Sequence, residues 1–289
     1  MDFSNNPHLK EYLRKKEMEL EAKKASRKRI IEEQNRKKWL EYQQHLRNTL
    51  GFGYDYSSLG YVSHVETNLL LYYDPSNLSS YSGTGTIITD LSGNGLNGTM
   101  SNITHTSPYF TYNGSNSQVS IADNSVLEPE SGDFTIETWF YASSTTGGTV
   151  ILGKFNNGGL ADDVSYSIRT SNTTLFADIG DGTGGVLGAD YINSTNYTFS
   201  ANTWYQVVYV WKSGVSLETY INGSSIGSVS HSLTSILNSS NPLYLGRYNG
   251  GEYAQNFDGR IGITRLYNTS LSSSEVLSNY NADKSKYGL

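Results

Sequence analysis

The sequence predicts an all-β body, a two-sheet antiparallel sandwich, preceded by a long N-terminal α-helix. Three observations carry this expectation. From Thr67 onward, short apolar runs alternate with clusters of Gly, Asn, Asp and Ser, the rhythm of strands joined by tight turns. Between Pro7 and Gly51 there is neither glycine nor proline, so nothing in that stretch breaks a helix. Charge divides at the same place: residues 1–50 hold 13 Lys and Arg against 8 Asp and Glu, whereas residues 51–289 hold 8 against 19. A basic arm is joined to an acidic body, which suggests that the arm meets something the body does not.

The arm, residues 1–50, opens with Asn6-Pro7, a cap followed by proline at the first helical position, and stops at Leu50-Gly51. An unbroken helix there would reach ~65 Å at about 1.5 Å per residue. Glu11–Lys15, Glu19–Lys23, Glu32–Arg36 and Glu33–Lys37 are spaced i,i+4 with the acid first, the favourable orientation for helical ion pairs. Trp39, Tyr42, Leu46 and Leu50 form an apolar stripe at 3-4-4 spacing, suited to docking or to homo-oligomerisation as a coiled coil. Two other readings stay open. One is a solvated spacer helix. The other is nucleic-acid contact through Lys23, Lys24, Arg27, Lys28 and Arg29, a field that the interleaved acids blunt.

Residues 51–60, GFGYDYSSLG, read as a hinge rich in Gly and Tyr, and residues 61–289 as one domain of sandwich size. The tract Leu69–Met100 reads as an apolar strand, a polar loop, a second strand ending in Asp90-Leu91-Ser92, and a glycine-punctuated turn. Phe134–Tyr141 alternates Phe134, Ile136 and Phe140 on one face with Glu137, Trp139 and Tyr141 on the other. Trp204–Trp211 is apolar or aromatic on both faces, the mark of a central strand. Asn222-Gly223 is a two-residue hairpin signal between Val215–Ile221 and Ile226–Val229. Pro242–Arg247 and Gly259–Tyr267 add two strands, and Ser272-x-x-Glu275 is a capping box for a short closing helix.

The chain has no cysteine, so disulfides and thiolate chemistry are excluded and the core alone must hold the domain. No run of about 18 apolar residues is present, and no membrane span is expected. Met1–Asn5 lacks a basic segment followed by an apolar one, so no secretory signal is expected.

Six blocks now occur in a telling order: DLSGNGLNGT (90–99), DFTIETWFY (133–141), WYQVVYVW (204–211), ETYINGSSIG (218–227), PLYLGR (242–247) and FDGRIGITRLYNTSLSSSEV (257–276). In that order they resemble the laminin-G-like jelly-roll domains of the concanavalin-A-like lectin/glucanase superfamily, over about 220 residues. The resemblance implies a twisted two-sheet jelly roll that binds sugars or proteins, a minority of relatives hydrolysing glycans. With the absence of cysteine and of a signal, the opening NLLLYYDPSNLSSYSGTGTIITDLSGNGLNGT also resembles laminin-G-like domains in virion proteins of phages and large DNA viruses.

Glycosidases of this superfamily carry Glu-x-Asp-x-x-Glu on one strand, a nucleophile and an acid/base about 5–5.5 Å apart in retaining enzymes. The body has seven Glu, and none forms that pattern; beside Glu137, Trp139 stands where a second acid is needed. Gly93–Gly98 matches G-x-G-x-x-G without opening a helix, and Gly223–Gly227 matches G-x-S-x-G inside a hairpin. Neither carries its usual chemistry there.

Calcium is the one cofactor expected. Asp90-x-Ser92-x-Asn94-Gly95 begins like an oxygen-ligand loop but has Ser101 at its twelfth position, and its side chains suit their own turn equally well. The resemblance implies a second set at a sheet rim: Asp162, Asp163, Asp178 and Asp181. For a glycan, the loop Arg247–Asp258 offers Tyr248, Asn249, Glu252, Tyr253 and Gln255, rings for the apolar face of a pyranose and polar groups for its edge. Trp139, Trp204 and Trp211 lie in strands and are expected in the core.

The reading is a non-enzymatic virion structural or surface protein. Its helix would dock onto other virion proteins, and its jelly roll would be displayed toward a cell-surface glycan or a protein. The alternatives are a stand-alone extracellular carbohydrate-binding lectin and a glycoside hydrolase.

Overall fold

The computed structural model describes residues 14–16, 64–155, 164–182, 191–247 and 255–289. Contacts divide the chain into Met1–Leu59 and Gly60–Leu289. Of the first unit only Arg14, Lys15 and Lys16 are described, and they are helical. The rest of the expected arm, with Trp39, Tyr42, Leu46 and Leu50, lies outside the described residues, as does the expected hinge up to Gly60.

The second unit is built of two antiparallel sheets. One runs β15 (Ser224–Ser230), β14 (Ser216–Ile221), β13 (Trp204–Lys212), β7 (Phe134–Ala142), β17 (Asp258–Tyr267), β5 (Tyr109–Asn113) and β4 (Thr104–Thr106). β1 (Leu69–Tyr73) flanks the second half of β17, beside the stretch left free by β5. The other runs β11 (Tyr191–Asn193), β10 (Thr174–Gly180), β9 (Val164–Ser171), β8 (Gly148–Phe155), β16 (Leu243–Leu245), β6 (Gln118–Ile121), β3 (Gly98–Ser101) and β2 (Ile87–Ile88), with β12 (Tyr197–Thr198) also on β10. Among the described residues no helix is long and apolar enough to cross a membrane.

The alternation along β7 explains the layers. Phe134, Ile136 and Phe140 join the main core with Trp211, Tyr166, Ile168 and Leu217. Burial of side chains of this size stabilises by about 1.5–3 kcal/mol each. The opposite face would ordinarily meet water, yet Thr135, Glu137 and Trp139 are fully buried. A helix covers them: α1 (Ser273–Asp283), followed by a 3-10 turn at Lys284–Tyr287. Its capping box forms as expected, Ser272 and Glu275 each satisfying the other's backbone N–H. Val276 and Leu271 pack with Val208, Val210, Tyr220 and Tyr267, which is why β13 is apolar on both faces.

Charge ties this outer layer down. Glu137 Oε1 accepts from Gln206 Nε2 at 2.8 Å and Arg265 Nη1 at 3.2 Å, and its Oε2 accepts from Asn279 Nδ2 at 2.6 Å. Arg265 Nη2 lies 2.7 Å from Asp283 Oδ2, and Lys286 bridges Asp283 to Asp74 at 3.0 Å on each side. Buried ions this well paired hold a helix in one register, because a slip leaves a charge without its partner.

Two glycines let the sheet close. Gly262 sits in a bulge where β17 advances three residues for two on β7. Gly259 has φ 155°, and a Cβ there would lie 2.2 Å from the Tyr141 carbonyl oxygen.

Candidate functional site

α1 covers only part of the outer face. At the end of the sheet that it leaves open, register sets three residues side by side: Trp204 on β13 opposite Tyr141 on β7, and Tyr141 opposite Arg260 on β17. Tyr109, at the start of β5, completes the group. All four are half-buried.

Their geometry is a connected shelf. The Tyr109 and Tyr141 rings lie 5.5 Å and 5.6 Å from Trp204, centroid to centroid. The guanidinium carbon of Arg260 sits over both tyrosines, 4.8 Å from Tyr109 and 4.5 Å from Tyr141, an attraction of cation to ring quadrupole. Behind Trp204 the stack continues into the interior: Tyr287 at 4.5 Å, then Trp139 at 4.3 Å from Tyr287. The Tyr141 hydroxyl donates to Asn202 Oδ1 at 3.1 Å. The shelf therefore offers ring faces, an amide and a cation on a floor of buried, stacked rings.

A separate open cleft of about 520 Å³ is lined by Leu69, Asn94, Glu128, Asp133 and their neighbours, with no aromatic ring in its wall. It lacks the ring faces that the shelf supplies.

The expected glycan loop is described only at its ends. Arg247 bridges to Asn256, and Gln255 is half-buried with its carbonyl accepting from Val150 N. Tyr248, Asn249, Glu252 and Tyr253 lie outside the described residues. The loop re-enters the sheet at Asp258, two residues before Arg260.

Of the four expected calcium ligands, Asp178 and Asp181 are among the described residues. Asp178 is fully buried and ion-paired with Arg169, and it accepts from Ser167 Oγ and Asn193 Nδ2. Both oxygens are committed to protein donors, so this carboxylate does not fit a metal ligand. Asp181 is half-buried, and Asp162 and Asp163 lie outside the described residues. Asp90 accepts from the backbone N–H groups of Ser92 and Leu96 in its own turn and from that of Tyr72 on β1. One oxygen cage does exist, and a lysine fills it. Lys154 Nζ lies 2.6 Å from Asp123 Oδ1, 2.8 Å from Glu128 Oε1 and 2.7 Å from the carbonyls of Ser239 and Asn241.

Glu137, the one strand carboxylate weighed for hydrolysis, is sealed beneath α1 with both oxygens hydrogen-bonded. Burial pushes its carboxyl up from the ordinary range, and the Arg265 guanidinium opposes that shift. No substrate reaches it in this arrangement.

Trp139 and Trp211 are core, as expected, whereas Trp204 is only partly buried, packed against Trp139 and Tyr287. Tyr109, Tyr141, Trp204 and Arg260 were not singled out as a site from sequence. The available signal was Tyr141 on the non-core face of its strand; only strand pairing shows what stands beside it.

Against known proteins, a laminin-G family model, described as the concanavalin A-like lectin/glucanases superfamily, matches residues 113–277. Among curated proteins none matches the sequence. Solved structures with a similar fold include the binding domain of botulinum neurotoxin DC in complex with SialylT. It has TM-score 0.56 and 16% identity over 75% of this chain and 52% of that one. A second is the binding domain of botulinum neurotoxin serotype G, with TM-score 0.56 and 18% identity over 74% and 50%. A third comes from work showing that cell entry of botulinum neurotoxin type C depends upon interaction with two ganglioside molecules, with TM-score 0.56 and 15% identity over 75% and 52%. The chain spans about half the length of these structures, and the likeness is one of fold.

Proposed function

The chain belongs to the concanavalin A-like lectin/glucanases superfamily, and we propose that it acts there as a non-catalytic binding module that takes a carbohydrate on the shelf of Tyr109, Tyr141, Trp204 and Arg260. One observation carries the reading. Three half-buried rings share one open sheet end with a guanidinium and an amide, and the sheet register holds them in place. A pyranose has an apolar face of C–H groups and a rim of hydroxyls, and it matches a surface with rings in the middle and polar groups at the edge. The neurotoxin binding domains that share the fold include one solved with SialylT and one solved with rat synaptotagmin II; the first supports a glycan, and the open rings of the shelf are the observation that favours it here.

The setting is the finer part of the proposal. The basic arm and its Trp39–Leu50 stripe are read as attachment to other proteins of an assembly, a virion, with the sandwich displayed outward. The charge division between residues 1–50 and 51–289 supports this reading.

A glycan-array screen of the full chain tests the function, run beside Trp204→Ala and Tyr141→Ala and repeated in chelator. Binding to a defined glycan class is expected, lost about tenfold or more in either variant at unchanged far-UV circular dichroism. A blank array, or binding indifferent to both substitutions, sinks the proposal. The chelator arm tests the calcium expected of Asp162, Asp163 and Asp181.

A further inference from the structure

The basic residues from 51 onward are Lys154, Arg169, Lys212, Arg247, Arg260, Arg265, Lys284 and Lys286. In a segment with 19 acids, each would be expected to find a partner. Among the described residues Lys154, Arg169, Lys212, Arg265 and Lys286 are ion-paired. Arg247 donates to Gln118 Oε1, and Lys284 donates to Asn281 Oδ1. Arg260 differs from all of them. Among the described residues no carboxylate lies within ion-pair distance of it, and its side-chain contacts there are the ring faces of Tyr109 and Tyr141.

That mode of holding has a chemical consequence. A guanidinium attracted to aromatic faces uses its π surface and its charge, while its N–H groups radiate from its edge in a planar fork. The fork matches two oxygens of an oxyanion, and such charge-assisted pairs are the strong hydrogen bonds of protein surfaces. The two tyrosines also fix the side chain, so little rotamer freedom remains to be lost on binding. Half burial lowers the local dielectric and lengthens the reach of the charge.

We propose that Arg260 is the anion-binding residue of the shelf, and that the carbohydrate taken there is acidic, carrying a carboxylate or a sulfate ester on the pyranose that stacks against Tyr109, Tyr141 and Trp204. The inference rests on the carbohydrate reading above and deepens it. The rings give affinity for any pyranose. Arg260 selects the charged one, and the acidity of the remaining surface repels anions that do not reach it.

The test is a titration of the full chain, by calorimetry or surface plasmon resonance, with lactose, 3′-sialyllactose and 3′-sulfolactose. At low salt the wild type should bind at least one anionic sugar about tenfold or more tighter than lactose, the ratio falling as salt is raised. Preference for one anionic sugar over the other tells carboxylate from sulfate. Arg260→Gln should abolish the preference, so that the affinities for lactose and for the anionic sugars converge. Arg260→Lys should keep only part of it, since an ammonium retains charge without the fork. Equal binding of lactose and both anionic sugars would overturn the acidic-ligand inference and leave the lectin reading standing. A preference that survives in Arg260→Gln would do the same. Binding of none of the three sugars would overturn both.

Discussion

The hydroxyl of Tyr287 lies where a side chain on Gly262 would begin: a Cβ built at residue 262 falls 2.1 Å from that oxygen. The empty space lets Tyr287 accept from Ile263 N–H at 2.8 Å and slide its ring between Trp139 and Trp204. The floor of the aromatic shelf thus depends on one missing methyl group in a strand bulge.

Gly262→Ala should therefore expel Tyr287. Overpacking of this kind costs about 1–3 kcal/mol, and the loss of support should loosen Trp204. Urea unfolding and tryptophan emission measure the two effects. An unchanged midpoint with unchanged emission would show that the bulge absorbs the methyl group.

Glu137→Gln separates scaffold from chemistry. The change removes a buried charge that Arg265, Gln206 and Asn279 all address. Breaking such a pair costs about 3 kcal/mol or more, with Asp283 still neutralising Arg265. Stability should fall while glycan binding persists at temperatures where the variant is folded. Release of reducing sugar by the wild type, lost in Glu137→Gln, would instead make Glu137 catalytic.

Lys154→Met should be among the costliest substitutions in the sandwich. It leaves Asp123, Glu128 and two carbonyls converging on a space without a cation. The expected loss is about 3–5 kcal/mol, read as a fall in denaturation midpoint. A loss under about 1 kcal/mol would mean that the cage opens to water once the lysine is gone.

Acid should weaken the fold through His64. Burial, then the nearby charge of Arg265, holds its imidazole down at about 4, with Lys286 adding to the effect and Asp283 and Asp74 opposing it. An unfolded chain protonates near the ordinary value of about 6.5. Between those values the unfolded state binds more protons, so stability falls as pH drops from about 6.5 to 4. The wild type should lose about 1–3 kcal/mol more than His64→Gln between pH 7 and pH 4.5 by chemical denaturation. Parallel losses in the two proteins would remove His64 as the cause.

The sandwich was legible because its strongest signals are local. Asn222 and Gly223 both take positive φ, 50° and 76°, as a tight hairpin turn requires, and Ser272 and Glu275 form their box within four residues. Trp204–Trp211 announced burial on both faces, although nothing nearby said that a helix supplied the second. β8, β9 and β10 were harder to delimit, since Thr, Ser and Arg interrupt their apolar residues and acquire burial only from partners such as Asp178 on Arg169. The shelf was invisible for a related reason. Tyr109, Tyr141, Trp204 and Arg260 span more than 150 positions and become neighbours only through the pairings of β5, β7, β13 and β17. The aromatic loop at Tyr248–Gln255 drew attention because its residues are adjacent in the chain.

The position of β17 in its sheet has a consequence in time. It lies between β7 on one side and β5 and β1 on the other, yet it is translated after all of them. Until residues 258–267 emerge from the ribosome, β1 and β5 lack the strand that links them to β7, and long-range pairing of this kind is slow to form. Tyr287 follows later still. The surface that would hold a sugar is thus finished last, and ligand capture would report that the whole domain has folded.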